Sequence, residues 1–222
     1  ASLVPIILSS LWFFGIGSLL IIVAATVGAL ITERVFGKSG SLFDGSAMIT
    51  GLLLGLTLPA SLPLWMAALG GAMGIGFGKI VFGGLGQNIF NPALFGRAFL
   101  QAAFPVAITT WPVARAPFWT LHGDLFAFPF THPRAVDAIT AATPLGLWKF
   151  EGKGTALLDL FIGTTGGSLG ETSTPVILLC GAFLAWKSYL NWRIPVGVLA
   201  SVAVVSGVLH LIVPRYPDPL FM

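Results

Sequence analysis

The sequence predicts an all-α, polytopic membrane protein, a helical bundle in which several helices are short or broken. Of its 222 residues, 56% are hydrophobic and only 9% are charged, and the mean hydropathy is +0.94. A soluble domain carries about 25% charged residues, so lipid is the expected solvent for most of this chain. Apolar runs recur along its whole length, and its 28 glycines fit close helix packing and interrupted helices.

Composition also excludes several classes of site. The net charge of +3 is small and scattered, which argues against a nucleic-acid partner. One cysteine, Cys180, excludes an internal disulfide and a multi-cysteine metal centre. His122 and His132 lie ten positions apart without a cysteine partner, so we expect no metal site there. Because Ala1 already begins an apolar run, we expect the sequence to start inside a helix.

The first two apolar runs predict two helices separated by a tight turn. Residues 3–14 are too short to cross a bilayer, and a glycine-containing break follows at 15–18. The second run, 17–36, reaches the length of about 20 residues that a span needs. Arg34 and Lys38 at its end indicate the cytoplasmic side.

A short helix is predicted next. Asp44 or Ser46 is a suitable N-cap for an apolar run that ends at Pro59, about 22 Å long at 1.5 Å per residue. That length is short for a bilayer. A half-helix lining a site and a capped helix in a thinned region both remain open.

Pro63 opens a longer helix that is predicted to reach Phe82. Trp65 fits the aromatic belt at one end, and Lys79 fits the other. Its glycines form a small-residue face for packing against another helix. These glycines are Gly70, Gly71, Gly74, Gly76 and Gly78.

The glycine-rich stretch 83–88 is predicted to be a tight cytoplasmic turn before a helix that runs to Thr109. Asn91 is the expected cap of that helix and Pro92 its first residue. Free N–H groups at such an end can also receive a phosphate or a polar cofactor group. Arg97 lies about two turns into the helix, where an ionisable residue is a functional candidate unless it extends to the surface.

The remaining chain divides at its least hydrophobic part, 110–154, which counting the turns places outside the cytoplasm. Residues 155–165 are too short to span, an apolar helix follows Gly166–Ser173, and a last helix runs over 194–213. We therefore predict a first membrane repeat at 1–109, an extracytoplasmic loop at 110–154 and an incomplete second repeat at 155–222.

Two stretches predict an inverted repeat. Asp44 precedes Trp65 by 21 positions, and Glu171 precedes Trp192 by 21, with an apolar helix between each pair. The two helices run in opposite directions in the predicted topology, which places a site near the axis relating the halves. The partner of Asn91 would fall near the end of the sequence, so we expect the closing helix of the second half to be absent here. Either the sequence is a fragment or another chain completes it.

The run from Asp137 to Leu145 is unusual at the rim of a membrane domain. An aspartate opens it, small residues follow, and Thr143 lies among them. Small side chains let a bulky group approach the backbone, and the threonine hydroxyl offers a point of attachment.

These motifs together resemble the NqrB/RnfD family of redox-driven ion pumps, and most closely the D subunits of Rnf complexes. The resemblance covers nearly the whole chain in order, and the family fold has ten helices in two inverted halves of five. The matching stretches are 44–54, 62–65, 82–97, 137–145, 167–173 and 192–195.

The resemblance implies flavin mononucleotide (FMN) esterified through its phosphate to Thr143 by a separate flavin transferase. Asp137, Thr140 and Ala142 match the family attachment motif, Asp-x-x-Ser/Thr-Gly-Ala-Thr, whereas Ala141 stands where glycine is usual. A second, non-covalent flavin remains open. Further candidates for cofactor binding near the pseudo-axis are Asn91, Arg97 and Glu171.

The resemblance further implies a non-autonomous subunit of an ion-translocating oxidoreductase in the bacterial inner membrane. Electrons would pass between ferredoxin and NAD through further membrane and iron–sulfur subunits while Na⁺ or H⁺ crosses the membrane. The attachment loop would lie on the periplasmic side.

Three other functions remain open. The B subunit of the sodium-pumping NADH:quinone oxidoreductase shares the flavin threonine but passes electrons to quinone. A passive solute channel or transporter fits the broken helices and the repeat but not the threonine loop. A scaffold would only hold redox partners.

Overall fold

The computed structural model describes residues 2–38, 40–112, 114, 117–119, 121, 125–129, 143–171 and 173–212. Within these residues every regular element is a helix, as the composition predicts. The α-helices are α1 (Val4–Phe14), α2 (Ile16–Phe36), α3 (Ser46–Leu56), α4 (Leu64–Ile75), α5 (Pro92–Ala103), α6 (Pro105–Thr109), α7 (Pro144–Gly146), α8 (Leu157–Ile162), α9 (Thr174–Trp186) and α10 (Arg193–Ile212).

Among the described helices, α2 and α10 are long and apolar enough to cross a membrane. Shorter apolar helices are α1, α3, α9 and α4 together with the turn that continues it. The predicted short helix after Asp44 is therefore confirmed, with 11 residues in α3.

The break between α1 and α2 is a single glycine. Gly15 has a φ of 71°, and a Cβ on it would lie 2.6 Å from the carbonyl oxygen of Phe118. Ile16 donates its N–H to that same carbonyl at 2.9 Å. A side chain at position 15 would thus be both strained and obstructed, which explains why the apolar run divides there.

Glycine allows the central helices to touch. Helix α2 packs against α3 and α4, and α4 packs against α5. A Cβ on Gly28 of α2 would overlap the carbonyl of Ala68, and one on Gly71 of α4 would overlap the carbonyl of Ala25. The predicted packing role of the glycine face is confirmed. The core between these helices includes Phe14, Ile21, Leu54 and Leu100, all fully buried.

Two helices depart from their predicted course. The helix from Pro63 was expected to reach Phe82, but α4 passes into a π-helical turn, Gly76–Ile80, and stops there. The helix from Pro92 was expected to be continuous to Thr109, and this prediction is wrong. It breaks at Phe104, with φ −134° and ψ 57°, because Pro105 cannot continue the ladder of hydrogen bonds.

The second half is less enclosed than the first. Helix α9 packs against α1 and α8. Its apolar run predicts an end at about Leu190, but the helix ends at Trp186, and Ser188 follows with a φ of 59°. Most side chains of α10 are exposed, and Ser206 is its buried residue. An apolar helix with so little of its surface covered fits a lipid or protein environment.

Candidate functional site

Thr143 forms the N-cap of α7. Its side-chain oxygen accepts a hydrogen bond from the N–H of Gly146 at 3.2 Å, and Pro144 occupies the first position of the helix. In this bond the oxygen acts only as an acceptor. Replacing the hydroxyl hydrogen by phosphorus would therefore leave the capping contact available.

Gly146 and the turn that follows it are the described surroundings of Thr143. The Thr143 side chain is half-buried, and a Cβ on Gly146 would come within 3.1 Å of its hydroxyl oxygen. The π-helical turn Leu147–Glu151 that follows exposes the ring of Phe150, and Lys149 lies 5.3 Å from the centre of that ring. The other predicted recognition residues, Asp137, Thr140 and Ala142, lie outside the described residues.

Described parts of the predicted loop dock on one end of the bundle. Ser61, in the α3–α4 connection, donates its hydroxyl to the carbonyl of Thr110 at 2.8 Å. The N–H of Leu64 donates to the carbonyl of Leu125 at 3.0 Å. At another pair of connections, Lys38 donates to the carbonyl of Gly83 at 3.0 Å. The α3–α4 connection is thus bonded to residues 110 and 125, and residue 38 to the turn at 83.

The segment before α9 completes the end of α3. Leu169 donates its N–H to the carbonyl of Leu58 at 3.1 Å, and Gly170 donates to that of Leu56 at 2.7 Å. Leu169 is fully buried, and a Cβ on Gly170 would come within 3.0 Å of Leu56 Cβ. The first stretch of the predicted repeat is therefore joined by backbone hydrogen bonds to the segment that directly precedes the second stretch.

Arg97 and Glu171 are brought together. Arg97 Nη1 lies 3.9 Å from Glu171 Oε1, with the arginine side chain 31% exposed and the glutamate 66% exposed. The pair joins α5 to the segment before α9. Because both side chains are partly exposed and the two atoms are 3.9 Å apart, this ion pair contributes little stability by itself. The Arg97 guanidinium can still contact other groups.

Asn91 has the capping role that the sequence predicts. Its side-chain oxygen accepts from the N–H of Ala93 at 3.0 Å and from that of Leu94 at 3.4 Å. The neighbouring glycine stretch is a turn, with positive φ at Gly83 and Gly84. The Asn91 oxygen is thus engaged in a helix cap, as the Thr143 oxygen is.

The structure contains a buried ionic cluster that the sequence did not predict. Lys79 was expected to mark the surface end of its helix, but its side chain is 3% exposed and its ammonium turns into the bundle. Lys79 Nζ lies 2.9 Å from Glu33 Oε1 and 3.4 Å from Asp44 Oδ2, and it donates to Ser46 Oγ. The sequence feature that could have indicated this cluster is a lysine inside a glycine-rich apolar run.

Asp44 also organises the start of α3. Its Oδ1 accepts the N–H of Ser46 at 2.7 Å, from one position before the formal cap residue, Gly45. Hydrogen bonding from Ser46, with a smaller contribution from Lys79, lowers the pKa of Asp44 below its ordinary value of 3.8. The predicted capping function is thus shared between Asp44 and the left-handed Gly45.

Comparison with known proteins supports the resemblance seen in the sequence. The D subunit of the proton-translocating ferredoxin:NAD(+) oxidoreductase complex of Clostridium ljungdahlii is 39% identical over 219 residues, which cover 92% of this chain and 61% of the relative. The D subunit of the Na(+)-translocating complex of Acetobacterium woodii is 34% identical, over 92% of this chain and 61% of the relative.

A D subunit of an ion-translocating oxidoreductase complex from Aeromonas hydrophila is 36% identical, over 95% of this chain and 67% of the relative. The chain thus spans about three fifths to two thirds of the length of these relatives. The model of one family, described as NQR2, RnfD, RnfE, matches residues 1–222. The chain belongs to the NQR2, RnfD, RnfE family.

Proposed function

We propose that this chain is part of the membrane subunit of an Rnf-type electron-transport complex, and that it carries FMN on Thr143. The observation that carries the proposal is the position of Thr143, a half-buried cap whose oxygen accepts one hydrogen bond, within a chain of this family. Two of the relatives, from Clostridium ljungdahlii and Acetobacterium woodii, are named as D subunits of ferredoxin:NAD(+) oxidoreductase complexes.

The residues of this chain have distinct parts in the proposed role. The Thr143 oxygen would hold the phosphoester, and the Gly146 N–H would fix the direction of that oxygen. When bound, the flavin supplies the electron-carrying chemistry, while the protein provides anchorage and orientation. A covalent link prevents loss of the carrier at a water-exposed rim. We propose that the flavin transferase recognises Asp137 and Thr140 during attachment.

We propose that electron transfer is coupled to ion movement where the first and second membrane repeats meet. The end of α3 and the segment before α9 join through the Leu56–Gly170 and Leu58–Leu169 backbone bonds. Interrupted helices meeting within a bundle are typical of inverted-repeat transport proteins. We propose the same inverted-repeat plan here, with the attachment loop on the periplasmic side and Na⁺ or H⁺ as the transported ion.

Intact mass and in-gel fluorescence test the proposal. The subunit, co-expressed with a flavin transferase and denatured, should fluoresce and should weigh more than the apoprotein by one FMN less one water. Thr143→Val should remove both signals. Thr164→Val is a matched control, because the Thr164 hydroxyl donates to Asp159 Oδ1 at 2.8 Å, outside the attachment loop.

The outcomes separate the candidate functions. An adduct that persists in Thr143→Val would show that the attachment site is elsewhere. An unmodified wild-type chain, with the transferase shown to be active, would favour the passive channel. The B subunit of a quinone-reducing pump is less favoured, because two of the relatives are named as subunits of ferredoxin:NAD(+) complexes.

A further inference from the structure

The ammonium of Lys79 is surrounded by oxygen atoms suited to a cation. Glu33 Oε1 lies at 2.9 Å, Asp44 Oδ2 lies at 3.4 Å, and Ser46 Oγ accepts a third hydrogen bond. An ammonium has three N–H donors, so these three oxygens match its capacity. Carboxylates and other oxygen donors are also the ligands that hard metal cations take.

The charges in this cluster do not balance. Two carboxylates face one ammonium, which leaves a formal charge of −1 on the three side chains. Glu33 is 2% exposed, and its Oε2 is buried without a hydrogen-bond partner among the described residues. A buried acceptor without a partner is costly, so this oxygen marks a position where a further positive group would be stabilised.

Neighbouring cations are directed elsewhere. Lys38 donates to the carbonyl of Gly83, and the side chain of Arg34, next to Glu33 on α2, belongs to an exposed residue. The cluster is closed at Glu33, because that residue is buried. Its other end opens at Asp44, whose side chain is 28% exposed.

The segment that carries Asp44 lies between two glycines in the left-handed region. Gly40 and Gly45 flank the 3₁₀ turn Ser41–Asp44 with φ values of 89° and 71°, and a Cβ on either would meet nothing within 4 Å. Lys79 lies in the π-helical turn Gly76–Ile80, a local departure from the helix that is frequent at functional sites. The Asp44 carboxylate and the Lys79 ammonium are therefore carried by irregular backbone segments and not by the α-helices of the bundle.

We propose that Glu33, Asp44 and Ser46 form a binding site for a small monovalent cation, and that Lys79 is a tethered cation which occupies this site in its absence. An entering ion would pass Asp44, bind the oxygens of Glu33, and displace Lys79 Nζ toward the exposed rim. The physiological meaning of the ion depends on the proposed function. The binding itself requires neither flavin nor turnover.

Lysine labelling tests the displacement directly. The purified wild-type subunit in its complex is treated with an amine-acylating reagent in sodium chloride or in choline chloride of equal concentration, and labelling is read by peptide mass spectrometry. Labelling of Lys79 should rise several-fold, and to a plateau, with sodium ions. Lys38 and Lys153 should label equally in both salts. Equal labelling of Lys79 in both salts would overturn the proposal.

Variants separate specific binding from a general salt effect. Glu33→Gln should abolish the sodium dependence of Lys79 labelling, whereas Lys38→Met should preserve it. Asp44→Asn, at the exposed end, should shift the half-saturating sodium concentration upward and serves if Glu33→Gln does not fold. A sodium dependence that survives in a folded Glu33→Gln variant, or a half-saturating sodium concentration left unchanged by Asp44→Asn, would contradict the proposed ligands.

Lys79→Met offers an independent measurement. With the tethered cation removed, sodium should raise the melting temperature more than choline does, because a ligand that binds the folded state stabilises it by mass action. The Lys79→Met/Glu33→Gln double variant should show no such difference. A choline response equal to that of sodium in Lys79→Met would overturn the proposal. Loss of flavin in Thr143→Val tests the redox role separately, so the two proposals can fail independently.

Discussion

Lys79 Nζ and Glu33 Oε1 lie 2.9 Å apart across α2 and the end of α4, although 46 positions separate the residues in sequence. Both side chains are buried, at 3% and 1% exposed. A pair so enclosed is expensive to break, because removing one partner leaves the other charge without compensation. The cluster is therefore a structural element as well as a candidate site.

The first prediction concerns the stability of that pair. Lys79→Met should lower the free energy of unfolding by about 3–5 kcal/mol, the cost of leaving a buried carboxylate unpaired. Lys79→Met/Glu33→Gln should lose less than Lys79→Met alone, which unfolding in mixed micelles can measure. Lys153→Met is the control, since it breaks the exposed Lys153–Glu151 pair and should have little effect. A double variant less stable than Lys79→Met would contradict the pairing.

The second prediction concerns helix packing through glycine. Gly71→Ala should destabilise the protein by about 1–3 kcal/mol, because its Cβ would overlap the Ala25 carbonyl of α2. Gly181→Ala in α9 is the control, with nothing within 4 Å of its added Cβ, and should stabilise by about 0.5–1 kcal/mol. Thermal unfolding in detergent gives both values. Equal effects would show that α2 and α4 are not in close contact.

The third prediction concerns the cap of α5. Asn91→Ala should cost about 0.5–2 kcal/mol, because the N–H groups of Ala93 and Leu94 lose their acceptor. Asn91→Asp keeps an acceptor oxygen and should restore most of the loss. The same unfolding measurement decides between a cap and a cofactor contact. An Asn91→Ala protein of unchanged stability that has lost flavin would favour the cofactor role.

The fourth prediction concerns acid sensitivity at Asp44. Because the folded-state pKa of Asp44 lies below 3.8, ionised Asp44 stabilises the folded protein above that pH, and this contribution disappears as pH falls through the lowered pKa. Asp44→Asn should therefore flatten the loss of stability on acidification. Melting temperatures measured from about pH 5 downward, to below the ordinary pKa of 3.8, would show it. An unchanged pH profile in Asp44→Asn would assign the acid response to another group.

The sequence predicts what local chemistry determines. The Asn91 cap and the glycine break near Gly15 depend on neighbouring residues, and both predictions are confirmed. The resemblance to the family is also confirmed, because its motifs extend in order along the chain. The attachment of flavin at Thr143 stays a prediction.

What the sequence could not predict depends on packing. Glu33 and Lys79 look like ordinary charges at helix ends, and only the contact of α2 with α4 encloses them together. The break at Phe104–Pro105 was signalled by the proline, yet the apolar run continues through it. Hydrophobicity alone gives no indication there that the backbone has changed direction.

The bonds from Gly170 to Leu56 and from Leu169 to Leu58 have a consequence for biosynthesis. The two carbonyls lie at the end of the early-made helix α3 and just after it, whereas the N–H donors that they accept from lie in a segment that is translated much later. Until that segment has been made, both carbonyls lack the donors that they have in the folded protein. The end of α3 is therefore completed only by the later half of the polypeptide.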